Sequence, residues 1–498
     1  MNNAPDIYLY EHNKHKAADF NVLLSYPGRE SFGLSSLGLL WMYKQLDEAD
    51  DINVDFIFTD IHPKNMRNID MLGFSFTFEL DFVNIFSIIE KCGLNLKAFE
   101  RNDDDAIVFA GGPVVTANPE PYKNIFDFFI IGDGEELNYK CVRICKDNKD
   151  KPKSEILRLL SKVEGVYVPI FNDRVKKITQ KLEKCIYTPI ISERAYFKNT
   201  FILEVERGCA NRCGFCLASY LNLPIRFVEY RKIIDCIELG LKYTNKIALL
   251  GAQITAHPDF EKICDYIYNK NVCGCGIQLG ISSMRVDSFI PKIVSTLSKC
   301  GQKNTTLAIE AGSERLRKVI NKNLSNEQIF DAVRIAKENG LKGLKFYGML
   351  GLPTETQEDI DELIKLAQRI KIENKGFDIS FGFSTFVPKP NTPFQWFGRE
   401  SIKELEKKSD YIKRKLHKLG IKSQVSSVKW DYWQAVLSRG DSMLTDFLIN
   451  VYKNGAALGA YKSCSKNNIN PNFYAIENYS FDRDLPWDFI DIKPHLNK

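Results

Sequence analysis

The sequence predicts an α/β protein. It opens with an N-terminal Rossmann-like, doubly wound parallel sheet, continues as a partial (β/α)6 TIM-type barrel and ends in a small, mainly α C-terminal module. Three observations carry this. Short apolar runs alternate with helical segments, the pattern of a parallel sheet covered on both faces. Glycines cluster just after several of those runs, where such sheets meet their ligands. A loop spaced Cys-x3-Cys-x2-Cys, formed by Cys209, Cys213 and Cys216, follows the apolar run at residues 200–203.

At 498 residues the chain exceeds one ordinary domain. The pattern divides it into a sheet domain over 18–150, a bridge over 151–195, the barrel over 196–400 and the C-terminal module over 401–498. The composition, 44% hydrophobic and 26% charged, is that of a soluble globular protein. No apolar run is long enough to span a bilayer, and the first residues lack a basic-then-apolar secretory pattern. A cytoplasmic protein without a membrane partner is expected. The net charge of +5 is small and its lysines and arginines are spread out, so nucleic acid is not indicated. Thirteen scattered cysteines, an odd number, argue against a disulfide framework and for a reducing compartment.

Residues 1–18 are polar and predict a surface lead-in, where His12 and His15 read as tail residues rather than a ligand pair. Strands are predicted over 21–25, 53–60, 71–75, 106–110 and 126–131, with helices over 34–46 and 82–91. Gly28 and Gly33 follow the first strand, Gly111 and Gly112 the fourth, and Gly132, Gly134 and Glu135 the fifth. Glycine at such places lets the backbone approach a ligand or turn with positive φ. None forms a GxGxxG or Walker loop, so phosphate binding has weak support. The bridge predicts a helix over 154–162, a strand over 165–170 and a solvated charged run to Lys184. Cys141 and Cys145, four apart on a predicted helix, read as packed thiols.

In the barrel, strands are predicted over 200–203, 246–250, 276–281, 305–310, 343–349 and 377–383. Helices fall over 230–243, 260–270, 288–298, 325–339 and 356–372. Ser325 and Gln328 form a capping box, and Gly340 closes that helix. Six βα-type units place an active site at the carboxyl ends of the strands. In the C-terminal module, residues 400–419 predict a charged amphipathic helix and 444–452 another. Arg439-Gly440-Asp441 reads as a helix lead-in, and Cys464 is the only cysteine, so no second cluster is expected there.

The cysteine loop carries the chemistry. Three thiolates on one short loop can wrap one corner of a metal cluster. A zinc site or an ordinary four-thiolate cluster wants a fourth ligand, and no fourth cysteine lies close by in sequence. If only three bind, one iron of a [4Fe-4S] cluster stays open to hold a substrate or cofactor. The competing reading is three buried or zinc-binding thiols.

With this spacing, Phe215 before the third cysteine and the glycine motifs downstream, the chain resembles the radical S-adenosylmethionine (SAM) superfamily. The resemblance implies that Cys209, Cys213 and Cys216 hold a [4Fe-4S] cluster whose open iron chelates SAM, and that reductive cleavage yields a 5′-deoxyadenosyl radical. Gly251-Ala252-Gln253 stands where the superfamily has Gly-Gly-Glu to hold the SAM amino group. Gln253 keeps an acceptor but lacks the charge, which weakens an ammonium contact. By the same resemblance Glu310 contacts the ribose or amine, and Ser313 or Arg315 the ribose or carboxylate. A plain salt bridge from Glu310 to Arg315 or Arg317 is the competing view. Residues 348–356 resemble the Gly-x-Pro-Gly-Glu-Thr phrase, with Leu350 and Leu352 flanking adenine and Glu355-Thr356 capping the next helix. The aromatic, proline-rich stretch 386–396 closes the pocket.

The phrases at 110–120 and 130–136 resemble the cobalamin-binding-type domain that precedes many radical SAM cores, making Gly111, Gly112, Gly132, Gly134 and Glu135 its cobalamin contacts. One departure stands out: the loop after the first strand has no histidine, so no Asp-x-His-x-x-Gly motif is present. The sequence therefore leaves open whether cobalamin binds or the domain only shapes a substrate cavity. The resemblance implies a cobalamin-dependent C-methyltransferase acting on an unactivated carbon. The alternative is a cobalamin-independent radical SAM enzyme performing sulfur insertion, rearrangement or dehydrogenation. Methylthiotransferases carry an additional N-terminal cluster, for which residues 1–190 offer only Cys92, Cys141, Cys145 and Cys185 without cluster spacing. A non-catalytic iron–sulfur or scaffold protein is the reading from another class. The implied partners are a low-potential electron donor of flavodoxin or ferredoxin type and a small-molecule or peptide/protein substrate.

Overall fold

The computed structural model describes residues 5–12, 18–63, 68–281 and 283–492, without the side chains at 467 and 468. Its N-terminal sheet is built from β2 (Asn21–Ser25), β3 (Asn53–Phe56), β4 (Met71–Ser75), β5 (Ile107–Gly111), β6 (Phe128–Ile130) and β7 (Val166–Tyr167), after a short β1 (Ile7–Tyr8). The order is β3-β2-β4-β5-β6-β7, parallel throughout except for β7, which pairs antiparallel with β6. The order reverses direction between β2 and β4, which opens a crevice at their carboxyl ends.

Both faces of these strands are buried, which is why they read as continuous apolar runs. Val22 and Leu24 face a core shared with α1 (Leu37–Asp47), α3 (Glu135–Asp147) and α4 (Lys153–Leu160). Leu23, Leu72 and Val108 face the opposite core, with α2 (Phe82–Lys91). Cys141 and Cys145 are packed thiols in the first core; burial pushes Cys141 up to about 12 and Cys145 well above its usual value.

The lead-in is more ordered than its polarity suggests. β1 pairs antiparallel with β9 (Ile190–Ile191), and His12 Nδ1 lies 2.7 Å from Asp47 Oδ2. His15 falls outside the described residues.

The barrel runs through β10 (Thr200–Glu204), β13 (Lys246–Leu250), β14 (Gln278–Ile281), β15 (Asn304–Glu310), β16 (Gly343–Leu350) and β17 (Asp378–Thr385). A small ribbon, β11 (Glu206–Arg207) with β12 (Arg226–Phe227), follows the first of them. The barrel strands are parallel in two sheets, β10-β13-β14 and β15-β16-β17, linked by a parallel bridge between Met284 and Leu307. Outside them pack α5 (Tyr230–Leu241), α6 (Phe260–Val272), α7 (Pro291–Lys299), α8 (Glu314–Val319), α9 (Asn326–Glu338) and α10 (Gln357–Glu373). Ser325 caps α9 in the expected capping box with Gln328.

The last hundred residues do not stand apart, which corrects the expectation of a separate module. α11 (Ile402–Lys418) buries Leu405, Ile412 and Leu416 in the barrel core, and β18 (Lys422–Val425) adds to β17 as a seventh parallel strand. Beyond it, α12 (Val428–Ser438), α13 (Leu444–Lys453), α14 (Leu458–Asn468) and α15 (Pro471–Ala475) cross back to the first sheet. Trp433, Phe447, Tyr461 and Trp487 complete the core on the α2 face. β19 (Ile490–Asp491) pairs with β8 (Val175–Lys176). Arg439 of the Arg-Gly-Asp triplet is fully buried, donating to the carbonyls of Phe397 and Glu477.

Candidate active site

The cysteine loop leaves the barrel at the carboxyl end of β10. Gly208 has φ +102°, and a Cβ there would stand 2.5 Å from the Asn222 carbonyl, so the turn into the loop admits only glycine. All three thiols are free. Asn321, at φ 55°, clips the loop from the end of α8: its Nδ2 donates to the carbonyls of Asn211 and Arg212, both at 3.0 Å. Cys213 Sγ lies 3.8 Å from the Asn321 carbonyl. Burial pushes the Cys213 thiol up to about 11, against the pull of Lys322 and Arg285. From the other side Phe394 donates its N–H to Gly214 and packs on it, so the proline-rich stretch covers the loop. Phe215 joins Met349 on the small apolar cluster of Leu316, Leu352, Phe386 and Phe394.

Among the described residues, no three His, Cys, Asp or Glu side chains converge closely enough for a single metal ion. A cluster makes a different demand, since each thiolate takes a separate iron. Three free thiols on one loop with two cations beside them fit that donor chemistry.

The turn Gly251-Ala252-Gln253 lies against this loop at the end of β13. Gln253 Oε1 accepts from Asn211 Nδ2 and stands 3.4 Å from Cys209 Sγ. The turn itself is held by Glu206, a fully buried carboxylate. Its Oε2 accepts the Gln253 N–H at 2.7 Å, and a Cβ on Gly251 would come within 2.7 Å of the same oxygen. Glu206 Oε1 has no hydrogen-bond partner among the described residues. Burial raises the Glu206 carboxyl to about 7. In the sequence, Glu206 has no signal beyond being a carboxylate three residues before the first cysteine.

Glu310 ends β15 with φ 63°, and its Oε1 pairs with Lys322 Nζ at 2.8 Å. The expected alternatives, Arg315 and Arg317, are engaged elsewhere. Arg317 is fully buried and donates to the carbonyls of Ala311, Gly312 and Leu324. Arg315 pairs with Asp359 and donates to the Thr354 carbonyl at 2.8 Å. Ser313 is the N-cap of α8, accepting from Leu316 N–H at 3.0 Å and donating to Asp359. Ser313 Oγ is thus engaged within the fold, while the Arg315 side chain is held on Asp359 and stays half exposed. Thr356 caps α10 in a box with Asp359, while Glu355 pairs with Lys408 at 2.7 Å.

Leu350 and Leu352 are each only 1% exposed. Leu350 faces the barrel helices because Leu344, Phe346 and Leu350 share the outward face of β16. Lys345, Tyr347 and Met349 face the lumen instead, so Met349 stands where Leu350 was expected.

Across from the loop, the crevice of the first sheet holds a cavity of ≈ 300 Å³. Trp41, Gly111, Gly112, Gly134 and Glu135 line one side, and Ile186, Glu204, Arg207 and Leu250 the other. Gly132 lies on its wall as well. The glycines differ in what they answer to. A Cβ on Gly112 would strike the Phe76 carbonyl at 2.6 Å and one on Gly132 the Ile178 carbonyl at 2.1 Å, so these two serve backbone packing. Glu135 does not stand free: it pairs with Arg207, which also meets Asp133 at 2.9 Å and Glu204 at 2.6 Å. Arg226 joins Asp133 at 2.5 Å.

A barrel open at its mouth, a three-cysteine loop there and a sheet crevice facing it define a radical SAM architecture. The sequence matches the Radical SAM superfamily over residues 203–367 and the family described as radical SAM proteins, N-terminal, over 39–169. The chain belongs to the radical SAM superfamily and carries a cobalamin-binding-type fold in its N-terminal region. It is 32% identical over 437 residues to the uncharacterized protein MJ0966 of Methanocaldococcus jannaschii, spanning 86% of this chain and 90% of that one. It is 25% identical over 377 residues to the uncharacterized methyltransferase PH0819 of Pyrococcus horikoshii, spanning 72% and 76%. Its fold is similar to that of the radical SAM methyltransferase TsrM from Kitasatospora setae, solved with tryptophan and a SAM analogue (TM-score 0.55, 13% identity, 76% and 75% covered). The same protein with cobalamin and a [4Fe-4S] cluster gives a TM-score of 0.54 at 13% identity, with 76% and 77% covered. Among the described residues, no helix is long and apolar enough to cross a membrane.

Proposed function

We propose that this radical SAM enzyme is a cobalamin-dependent C-methyltransferase acting on an unactivated carbon. The observation that carries the reading is the shared cavity: the crevice of the first sheet and the mouth of the barrel line one space, at whose edge Glu135 of the sheet pairs with Arg207 of the barrel. In this reading Cys209, Cys213 and Cys216 hold the cluster. Gln253 and Glu310 face SAM, with Glu206 fixing the turn that presents Gln253 and Lys322 fixing Glu310. Phe215 and Leu352 back the loop from beneath. In this reading the apolar side of Trp41 would lie against part of a cobalamin, with Gly111, Gly134 and Glu135 at the rim of a ≈ 300 Å³ cavity that takes only a portion of the cofactor. Bound together, these groups supply one-electron reduction, a carbon-centred radical and a transferable methyl group. The protein's own part is to hold them at fixed spacing and to keep water from the space between. A low-potential flavodoxin or ferredoxin in the cytoplasm supplies the electron.

Anaerobic reconstitution with iron, sulfide and methylcobalamin tests this. Co-purifying cobalamin absorbance, and label passing from methyl-labelled SAM to bound cobalamin, are expected. A protein that cleaves SAM to 5′-deoxyadenosine but neither retains nor methylates cobalamin is a cobalamin-independent enzyme, and the methyltransferase reading falls.

A further inference from the structure

The run that leads into β10 and the helix that follows the cysteine loop meet along one line. Residues 185–188 lie antiparallel beside β10: Tyr187 bridges to Leu203, and Glu204 donates its N–H to the Ile186 carbonyl at 2.8 Å. Extended backbone turns successive side chains to opposite sides. Ile186 lines the cavity of the first sheet, while Cys185 and Tyr187 enter the barrel core, where Tyr187 stacks on Phe201 at 5.5 Å.

Helix α5 covers the same place. Lys232, Cys236 and Gly240 recur every four residues and share one face of it. Lys232 Nζ donates to the Glu183 carbonyl at 2.5 Å, and a Cβ on Gly240 would strike the Phe201 ring at 2.5 Å. Cys236, between these two contacts, therefore stands over Cys185, and the two thiols are hydrogen-bonded to each other.

The thiols are unequal. Cys185 is 7% exposed, and its sulfur lies 3.7 Å from the Glu204 carbonyl. The hydrogen bond to Cys236, then burial, push the Cys185 thiol up, so it keeps its proton. The same bond pulls the Cys236 thiol down, against burial. Cys236 is also only half-buried, within reach of a small oxidant. A reachable sulfur that ionises readily, backed by a shielded thiol, is the arrangement of an oxidisable pair.

We propose that Cys236 and Cys185 form a peroxide-reactive modification site that closes to a disulfide. The Cys236 thiolate attacks one oxygen of hydrogen peroxide, the O–O bond breaks and hydroxide leaves, giving a sulfenic acid. That hydroxide takes up the proton Cys236 released on ionising. The Cys185 sulfur then attacks the sulfenic sulfur, the S–O bond breaks, and water leaves with the Cys185 proton. Two electrons pass from the sulfurs to the peroxide, which ends as two waters. The cross-link closes a loop of chain that contains β10 and all three cysteines of the Cys-x3-Cys-x2-Cys segment, and restricts that segment whenever the chain opens.

The test treats the full-length protein, with and without reconstituted iron and sulfide, with increasing hydrogen peroxide. Remaining thiols are alkylated and mapped by peptide mass spectrometry. A peptide joining Cys185 to Cys236 is expected in both preparations, with loss of both alkylatable thiols before the exposed Cys273 and Cys275 react. Dithiothreitol should restore both. C185S should leave Cys236 as a sulfenic acid that dimedone captures, and C236S should leave Cys185 as a free thiol. Cys185 and Cys236 still open to alkylation after Cys273 and Cys275 have reacted would overturn the proposal, as would a disulfide from either to a third cysteine. Both outcomes are read on the wild type, so they hold whether or not the serine variants fold. Because the mapping is repeated without iron, its result is independent of the cluster assignment.

Discussion

Arg207 Nη1 lies 2.9 Å from Asp133 Oδ1, so the residue two places before the first cysteine is fastened to the loop that ends β6 of the other sheet. Burial pulls the Arg207 guanidinium down, but the carboxylates of Glu204 and Glu135 outweigh it and hold the group above its usual value. Asp133 is likewise desolvated, yet Arg207 and Arg226 keep its carboxyl below the usual range. The cation thus ties the two halves of the cavity together.

Removing it should leave Glu204 and Glu135 without a cation in a part-buried space, while Asp133 keeps Arg226. R207M is expected to lose about 3 kcal/mol of stability, the usual cost of breaking a buried ion pair. Denaturant unfolding of the apoprotein measures it. A change within experimental error of zero would show that the network contributes nothing.

C213A should abolish the cluster's visible absorbance and with it SAM cleavage, while far-ultraviolet circular dichroism stays near that of the wild type. The fold tolerates the change because Asn321 and Phe394 hold the loop through backbone groups that the substitution leaves in place. Retained SAM cleavage would remove the cluster assignment.

Q253A deletes the amide that meets Cys209 and Asn211 while leaving the backbone N–H on Glu206 intact. SAM affinity, measured by equilibrium dialysis on the reconstituted protein, should weaken by about tenfold, one hydrogen bond's worth. Iron content should stay unchanged. Unaltered affinity would free Gln253 of its role.

Glu206 gives a pH signature. Its carboxyl rises from the usual 4.5 to about 7 on folding, because burial disfavours the charge. The folded state therefore holds the proton more tightly. The contribution is most favourable at or below pH 4.5 and is lost as pH rises through about 7. E206Q removes this dependence, so its melting temperature relative to wild type should climb between about pH 5 and about pH 8 in the apoprotein. A constant difference across that range would contradict the assignment.

Much of the architecture is legible because it is local. Strands whose two faces are both buried read as unbroken apolar runs, and β2, β4 and α2 stand where those runs lie. The cysteine spacing is legible for the same reason. The seventh barrel strand is not: Lys422–Val425 is a polar edge strand, and α11 before it hides three core leucine and isoleucine positions in a lysine-rich surface. In the site, what escapes is what arrives from elsewhere in the chain. Lys322 reaches Glu310 from beyond α8, and Glu206 reaches Gln253 across two strands. Leu350 was legible in principle, since strand alternation assigns the lumen to Met349 once the outward face is known.

The return of α12 to β19 onto the first sheet matters for a growing chain on the ribosome. The N-terminal strands emerge early, yet Trp433, Phe447 and Trp487, which seal one of their faces, are made roughly 300 residues later, some 15–60 s at ~5–20 residues per second. For that interval Leu23, Leu72 and Val108 lack their final cover. A nascent chain stopped after β18 should bind a chaperone or a hydrophobic dye that the finished protein ignores. The first domain begun is among the last completed.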